Sequence, residues 1–366
     1  MSKKIQTSEE ITLNVALVIP VLSTNQRQTI YLRIGLTGFY LQTKKEPLGP
    51  VNMALVIDTS MSEAKLRQAK DAAMILAMQL RPTDRMAIVT NEHRGKVLLP
   101  STKVGDREAI YQAIHTLAGS EQVNLLGGLK KGVREILKCR RHHCIDRMIL
   151  LSDGFAEVAL DSPKEVAKLA SILEKNVAIT TIGIGADYNK DSLMRLSQPS
   201  HGNHVWIENT TDAVLVFEHE FIALAWIVAQ KVEVTLTGTD NVRPVSVLSR
   251  KAKIAGQTVS VRLNQVCSEL EENIMVELEI PPIPNQQKQT LAHLTVAYHN
   301  LKTRRHQQVT QQITAIVVDS EPPVVGNTDA SVMTVAIEPL VEEEEKEVLP
   351  LCEPDQIEEA KQLSLF

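Results

Sequence analysis

The sequence predicts an α/β fold, a doubly wound, mostly parallel sheet, inserted into an antiparallel β-sandwich and followed by a disordered acidic C-terminal tail. Three observations carry this prediction. Residues 52–57 (N-M-A-L-V-I) and 148–151 (M-I-L-L) are continuous apolar runs, as expected of strands buried on both faces. Helical periodicity fills the intervals between such runs, and strand–helix alternation calls for a parallel sheet covered on both sides. Both flanks instead read as strand after strand, with apolar and polar residues alternating.

The elements follow in chain order. T-L-N-V-A-L-V-I-P from Thr12 and Q-T-I-Y-L-R-I-G-L from Gln28 read as strands, with Ile30, Leu32, Ile34 and Leu36 sharing one face. After the break at L-Q-T-K-K-E-P-L-G-P and the first buried strand, an amphipathic helix is predicted over 64–80. Leu66, Ala69, Ala73, Leu76 and Leu80 form its apolar side, and Arg81-Pro82 ends it. Strands M-A-I-V-T and K-V-L-L-P come next, then helices near 107–117 and 126–137, the strand at 148–151 and a helix over 163–173. The strand A-I-T-T-I-G-I-G, a short helix near 191–196, the strand H-V-W-I-E and a helix over 212–229 complete the α/β region. Beyond it, K-V-E-V-T-L-T-G, R-P-V-S-V-L-S, T-V-S-V-R-L, N-I-M-V-E-L-E-I, Q-T-L-A-H-L-T-V-A-Y and T-Q-Q-I-T-A-I-V-V read as antiparallel strands. The expected division is therefore 1–48 as the first sandwich segment, 49–229 as the α/β domain, 230–319 as the rest of the sandwich and 320–366 as the tail. In the tail, E-E-E-E-K-E and E-P-D-Q-I-E-E offer too little apolar surface to offset chain entropy.

Composition narrows the function. Hydrophobic content of 43% suits a globular protein, and no apolar run is long enough to cross a bilayer. M-S-K-K-I-Q-T-S-E-E has no apolar signal core, so a cytoplasmic location is expected. The four cysteines, Cys139, Cys144, Cys267 and Cys352, are scattered and imply no disulfide framework. Aromatics are only 3%, too few for base-stacking platforms, and a net charge of −5 gives no general attraction to phosphates. Direct nucleic-acid binding by the body is not expected.

The most informative internal motif is D-T-S-M-S, Asp58 to Ser62, at the carboxyl end of the first buried strand, where open α/β sheets bind their ligands. Asp58, Ser60 and Ser62 offer three hard oxygens, which suit magnesium, manganese or calcium rather than zinc. Asp153 in M-I-L-L-S-D-G caps a second buried strand, and two such strands side by side would bring both acids together. The segments A-L-V-I-D-T-S-M-S, R-P-T-D-R-M-A-I-V-T, V-N-L-L-G-G-L, M-I-L-L-S-D-G and T-I-G-I-G-A-D-Y-N resemble a von Willebrand factor type A domain of the bacterial kind with flanking β-sandwich segments. The resemblance covers roughly residues 51–221. It implies a metal-ion-dependent adhesion site holding Mg2+ (or Mn2+) through Asp58, Ser60, Ser62 and Asp153, with an open position for a partner's carboxylate. The middle loop departs from the family pattern: where G-G-T-N-L places a threonine hydroxyl on the metal, this chain reads E-Q-V-N-L, and Val123 has no oxygen to give. The site is accordingly expected to be weakened, and a relic motif kept for packing is the competing reading.

No enzyme is expected. A phosphatase of the haloacid-dehalogenase type needs an acid two residues after its aspartate, where this chain has Ser60. The P-loop, dinucleotide and G-x-S-x-G patterns are all absent. C-R-R-H-H-C (139–144) crowds its thiols and imidazoles too closely to wrap a tetrahedral ion, and reads as a basic loop with Arg140 and Arg141 at a helix's negative end. His201 and His204 flank a turn and read as structural; Trp206 and Trp226 read as core.

The chain closes on Gln362, Leu363, Ser364, Leu365 and Phe366, an amide followed by three apolar anchors behind an acidic spacer. This peptide resembles the Q-L-[S/D]-L-F consensus by which bacterial polymerases and repair proteins dock on the DNA polymerase III β sliding clamp. The alternative is a terminal helix, with Ile357, Ala360, Leu363 and Phe366 at three-residue spacing, that folds back onto the body. Together these readings describe a non-enzymatic adaptor: a von Willebrand A-like domain binding a protein partner, tethered to the clamp in DNA replication or repair. The alternative is a scaffold in a stress-response or AAA+ chaperone-linked complex, its tail packed on its own body.

Overall fold

Strict alternation in Q-T-I-Y-L-R-I-G-L-T places Ile30, Leu32, Ile34 and Leu36 on one face, and all four are buried in the computed structural model of the chain. The structure describes residues 9–18, 21–42, 45–141, 143–156, 163–200, 202–248, 250–284 and 288–318. Clamp-motif residues 362–366, the rest of the acidic tail, His142, His201 and Cys352 lie outside them. The described chain divides into two units, residues 9–42 with 227–318, and residues 45–226.

The first flank supplies β1 (Thr12–Leu17), β2 (Val21–Ser23) and β3 (Gln28–Thr37). The α/β unit follows, with β4 (Val51–Ile57), α1 (Glu63–Gln79), β5 (Arg85–Thr90), β6 (Lys96–Lys103), α2 (Arg107–His115), α3 (Leu125–Cys139) and β7 (Ile145–Ser152). It continues through α4 (Pro163–Leu173), β8 (Ala178–Ile184), α5 (Lys190–Ser197), β9 (His204–Ile207) and α6 (Thr210–Ala225). The sheet order is β6-β5-β4-β7-β8-β9, parallel throughout except for β6 against β5. Ala54 and Val56 of β4 join Leu129, Val133 and Ile136 of α3 and Leu193 of α5 in one buried layer. On the other side α1 packs with α2 and α6. Helix α3 comes close because Gly132 faces Val56, Met148 and Ala54, with a Cβ there only 3.0–3.5 Å from their side chains.

The second flank supplies β10 (Ile227–Gly238), β11 (Arg243–Val247), β12 (Ala252–Ala255), β13 (Thr258–Cys267), β14 (Glu271–Ile280), β15 (Gln289–Asn300) and β16 (Arg305–Val318). Two sheets result, β1-β3-β14-β11 and β12-β13-β10-β15-β16-β2, antiparallel except for the β16–β2 pair. Residues of both sheets, among them Leu32, Ile34, Val234, Val261, Ile274, Leu294 and Tyr298, share one buried cluster. The Tyr298 hydroxyl accepts the Ile11 N–H at 3.1 Å inside it.

Three expectations need correction. The last helix ends at Ala225, not 229: Ile227–Ala229 already belong to β10, pairing Ile227 with Cys267 and Ala229 with Val266. Burial of these residues between neighbouring strands outweighs the helical pattern that an apolar run shares with a buried strand. Strands β2 and β12 were not anticipated, because one has three residues and the other four exposed ones, neither enough to show a period. Trp206 is 53% exposed and is no core residue, whereas Trp226 is buried.

Two polar networks hold the edges of the α/β unit. Fully buried Asp84 accepts the Val51 N–H at 2.8 Å and the Arg81 N–H at 2.8 Å, and the Arg81 side chain donates to it again at 3.1 Å. The same guanidinium donates to the carbonyls of Gly49 (2.7 Å) and Pro47 (3.1 Å). R-P-T-D-R thus staples the entry of β4 to the α1–β5 turn. Near the opposite edge, His204 Nδ1 lies 2.9 Å from the Thr181 hydroxyl and Nε2 lies 3.2 Å from the Tyr188 hydroxyl. The Thr181 hydroxyl donates to the Leu193 carbonyl, so Nδ1–H donates to Thr181 and Nε2 accepts from Tyr188. Burial, reinforced by the positive charge of Lys190, pushes the imidazole pKa down to about 4 and keeps it neutral.

Asp84→Ala leaves the Val51 and Arg81 N–H groups without their acceptor and removes the buried one of the two carboxylates paired with the Arg81 guanidinium, and should cost about 3 kcal/mol in urea unfolding at pH 7. His204 binds its proton more weakly folded than unfolded, so its contribution to stability is intact above pH 6.5 and declines as pH falls toward 4. Urea unfolding at pH 7 and pH 4.5 should show a drop that is smaller by about 2 kcal/mol in His204→Gln.

Candidate functional site

Strands β4 and β7 are adjacent and parallel, with Ile57 beside Leu151, so the residues that follow each strand emerge at the same carboxyl edge of the sheet. The Asp58 N–H donates to the Leu151 carbonyl at 2.9 Å. The Asp58 side chain is fully buried. Its Oδ1 accepts from the Ser60 N–H (3.0 Å), the Ser60 hydroxyl (2.6 Å) and the Asn91 amide (2.7 Å); its Oδ2 accepts from the Ser152 hydroxyl (2.5 Å). All four donors are neutral, and among the described residues no cation pairs with this carboxylate. Ser60 and Ser62 are both exposed at the edge. Ser60 is bound to Asp58 directly, while the Ser62 hydroxyl caps α1 by accepting the Lys65 N–H at 3.4 Å.

Asn91, Ser152, Lys65 and Asp187 complete the surroundings, and none of them stood out in the sequence. Asn91 follows β5 just as Asp58 follows β4, and its side-chain Oδ1 also accepts the Thr59 N–H and hydroxyl at 2.9 Å each. The shared parallel register is the signal that locates it, and this register appears only once the strand order is known.

Asp153 is 6% exposed and sits beside Ser152, one residue beyond the group that binds Asp58. Its Oδ1 accepts the Phe155 N–H at 3.3 Å, and its Oδ2 lies 3.2 Å from the Lys65 ammonium. The same ammonium reaches Asp187 at 2.8 Å and stands 5.4 Å from the centre of the Phe155 ring. Burial lowers the pKa of Lys65, but its bonds to Asp187 and Asp153 outweigh this and leave the pKa raised. The bond to Lys65 in turn holds the Asp187 carboxyl below the usual carboxylate range.

The G-I-G-A-D-Y-N segment makes this arrangement possible. A Cβ on Gly183 would fall 2.5 Å from the Tyr188 ring, and one on Gly185 would fall 3.1 Å from Lys65 Cε. Gly185 also has φ +86°, in the left-handed region that favours glycine. The loop is fastened to the Asp153 turn by the Asn189 N–H, which donates to the Asp153 carbonyl at 2.7 Å. These glycines therefore serve side-chain packing.

The middle loop lies against the end of β5: Val123 forms an isolated bridge with Glu92, and the Asn124 N–H donates to the Asn91 carbonyl at 2.7 Å. Asn124 then caps α3 through the Gly127 N–H, also at 2.7 Å. Asn124 thus does structural work, and Val123 brings no side-chain oxygen. Within C-R-R-H-H-C, Arg140 pairs with Asp146 and Cys144 is buried. Among the described residues no three His, Cys, Asp or Glu side chains gather as a metal group. The donors around Asp58 are instead carboxylate and hydroxyl oxygens, a set suited to a hard cation. A buried carboxylate supported only by neutral donors, with hydroxyls exposed outside it, fits such an ion. The missing oxygen at Val123 and the ammonium on Asp153 both count against tight binding.

Comparison with known proteins agrees with this geometry. Residues 52–218 match the von Willebrand factor type A domain family. An uncharacterized Escherichia coli protein, YfbK, is 28% identical over 195 residues, 52% of this chain and 34% of that protein. An uncharacterized Synechocystis protein, sll0103, is 29% identical over 175 residues, 47% of this chain and 41% of that protein. This chain therefore matches well under half the length of either relative. Among solved structures, a von Willebrand factor type A protein from Catenulispora acidiphila superposes with a TM-score of 0.63 at 15% identity, covering 87% of this chain and 76% of that one. The ArnB paralog VWA2 from Sulfolobus acidocaldarius gives 0.58 at 17% identity, covering 90% and 82%. No helix of the described residues is long and apolar enough to cross a membrane. With the strand order, the Asp58 turn and the family match in agreement, residues 52–218 have a von Willebrand factor type A-like α/β fold.

Proposed function

We propose that this chain is a non-enzymatic protein-binding adaptor that engages its partner at the carboxyl edge of the α/β sheet. The observation that carries this reading is the Asp58 carboxylate, fully buried, held by four neutral donors and fronted by exposed serine hydroxyls. Asp58, Ser60, Ser62 and Asp153 would hold one Mg2+ or Mn2+ ion there. When bound, the ion supplies a positive charge with an open position for a carboxylate of the partner. The protein's own groups orient that ion: Asn91 and Ser152 fix the Asp58 carboxylate, and Ser60 is set by its bond to Asp58. Phe155 and Trp206, 58% and 53% exposed, supply apolar contact area toward the same edge. Trp206 is steadied by stacking on Tyr188, with ring centres 6.5 Å apart.

The second limb of the proposal is the C-terminal peptide. Gln362, Leu363, Ser364, Leu365 and Phe366 would dock on the bacterial β sliding clamp, and the negative charge of the acidic spacer would be repelled by DNA phosphates. Tethering raises the local concentration of the adaptor near replicating or repaired DNA without requiring strong contacts.

Titration calorimetry should register Mg2+ or Mn2+ binding by the wild type and lose it in Asp58→Ala; superimposable traces would make the motif a relic. The purified chain should bind the β clamp, and deletion of residues 362–366 should abolish that binding. Equal binding by the two forms, or none by either, would remove the clamp from the proposal.

A further inference from the structure

We propose that Lys65 is a built-in cation of this site, which competes with the divalent ion for Asp153 and sets the site's metal affinity low. The inference rests on the metal-site reading above and adds its regulation by a residue of the chain itself. Lys65 is poised for this role by three independent features. Its ammonium bridges Asp153 at 3.2 Å and Asp187 at 2.8 Å, with only 16% of the side chain exposed. Its stem lies along Gly185, where any Cβ would come within 3.1 Å of Cε, so the backbone leaves room for the lysine where another residue would crowd it. Its charge also faces the Phe155 ring at 5.4 Å, a contact that favours a cation.

The electrostatic consequence follows from position. Asp153 is, with Asp58, one of the two acids that the metal-site reading assigns to the ion, and its Oδ2 already faces a fixed positive charge. A divalent ion drawing on Asp153 must share that carboxylate with the ammonium and also meet its repulsion, which is strong at short range in a partly desolvated site. Asp58 has no such competitor, since its donors are neutral. The site is thus asymmetric, with one acid open to metal charge and the other already neutralised. Val123 adds to the same effect by giving no oxygen on the third side. Asp187, 75% exposed on the β8–α5 loop, is linked through Lys65 to the Asp153 turn. Metal entry that displaces the ammonium from Asp153 leaves it on Asp187 and couples occupancy to that loop.

The test is Mn2+ and Mg2+ titration of the full chain as wild type, Lys65→Met and Lys65→Met/Asp58→Ala, with circular dichroism to verify folding. Methionine keeps an unbranched apolar stem over Gly185 and removes the charge. Lys65→Met should bind Mn2+ tenfold or more tightly than the wild type, on the order of the effect that groups supporting a metal ligand exert. The double variant should lose the binding. Equal Mn2+ affinity in wild type and Lys65→Met, with loss in the double variant, would overturn the role of Lys65 and leave the metal site standing. Absence of binding in all three folded proteins would overturn both. Lys65→Gln provides the same reading if the methionine variant does not fold.

Discussion

A carboxylate removed from water must be met by hydrogen-bond donors, and Asp58 obtains them from three different loops. Ser60 comes from its own turn, Asn91 from the end of β5 and Ser152 from the end of β7. Because these strands are neighbours in the sheet, one buried charge fixes the positions of three loops relative to each other. The geometry of the candidate site depends on this. Ser60 faces outward with its hydroxyl proton committed to Asp58, which leaves its oxygen lone pairs for a cation. Asp153 is positioned as the residue after Ser152.

The rest of the edge is organised by a different balance. Lys65 is drawn from α1 over Gly185 to two acids on separate loops, and those bonds outweigh the desolvation of its ammonium. Asn189 fastens the same loop to the Asp153 turn and then caps α5. Charge and backbone hydrogen bonding thus join α1, the Asp153 turn after β7 and the β8–α5 loop. Polar groups at the other end of the sheet have a separate duty. Asp84 and Arg81 sit at the entry to β4, away from the serines, and hold main-chain groups in place.

Much of the α/β fold was legible because its signals are local. Continuous apolar strands, the proline at 82 and the periodicity of residues 66–76 need no knowledge of neighbours. The errors fell where local signals conflict or vanish. Residues 227–229 are apolar enough for a helix or a buried strand, and only their pairing with β13 decides between the two. Trp206 looks like a core residue in H-V-W-I-E, yet β9 is an edge strand and its tryptophan is exposed, stacked on Tyr188. For the site, Asp58, Ser60 and Asp153 were visible as acids and hydroxyls at strand ends. Lys65 was hidden within an ordinary amphipathic helix, and Asn91 within an unremarkable V-T-N-E-H turn.

The sequence by itself determined the order of strands and helices in the α/β unit, the D-T-S-M-S turn at the end of a buried strand, and the loss of a threonine oxygen at Val123. These follow from residue type and spacing along one stretch of chain. Tertiary structure decided which polar groups meet: that Asn91 and Ser152 support Asp58, that Lys65 holds Asp153, and that Gly183 and Gly185 serve packing. The physical reason is that such contacts join residues tens of positions apart, such as Lys65 with Asp153 and Asp58 with Ser152. Their partners are set by the strand order β5-β4-β7-β8 and its register, which are properties of the whole sheet and of no single segment.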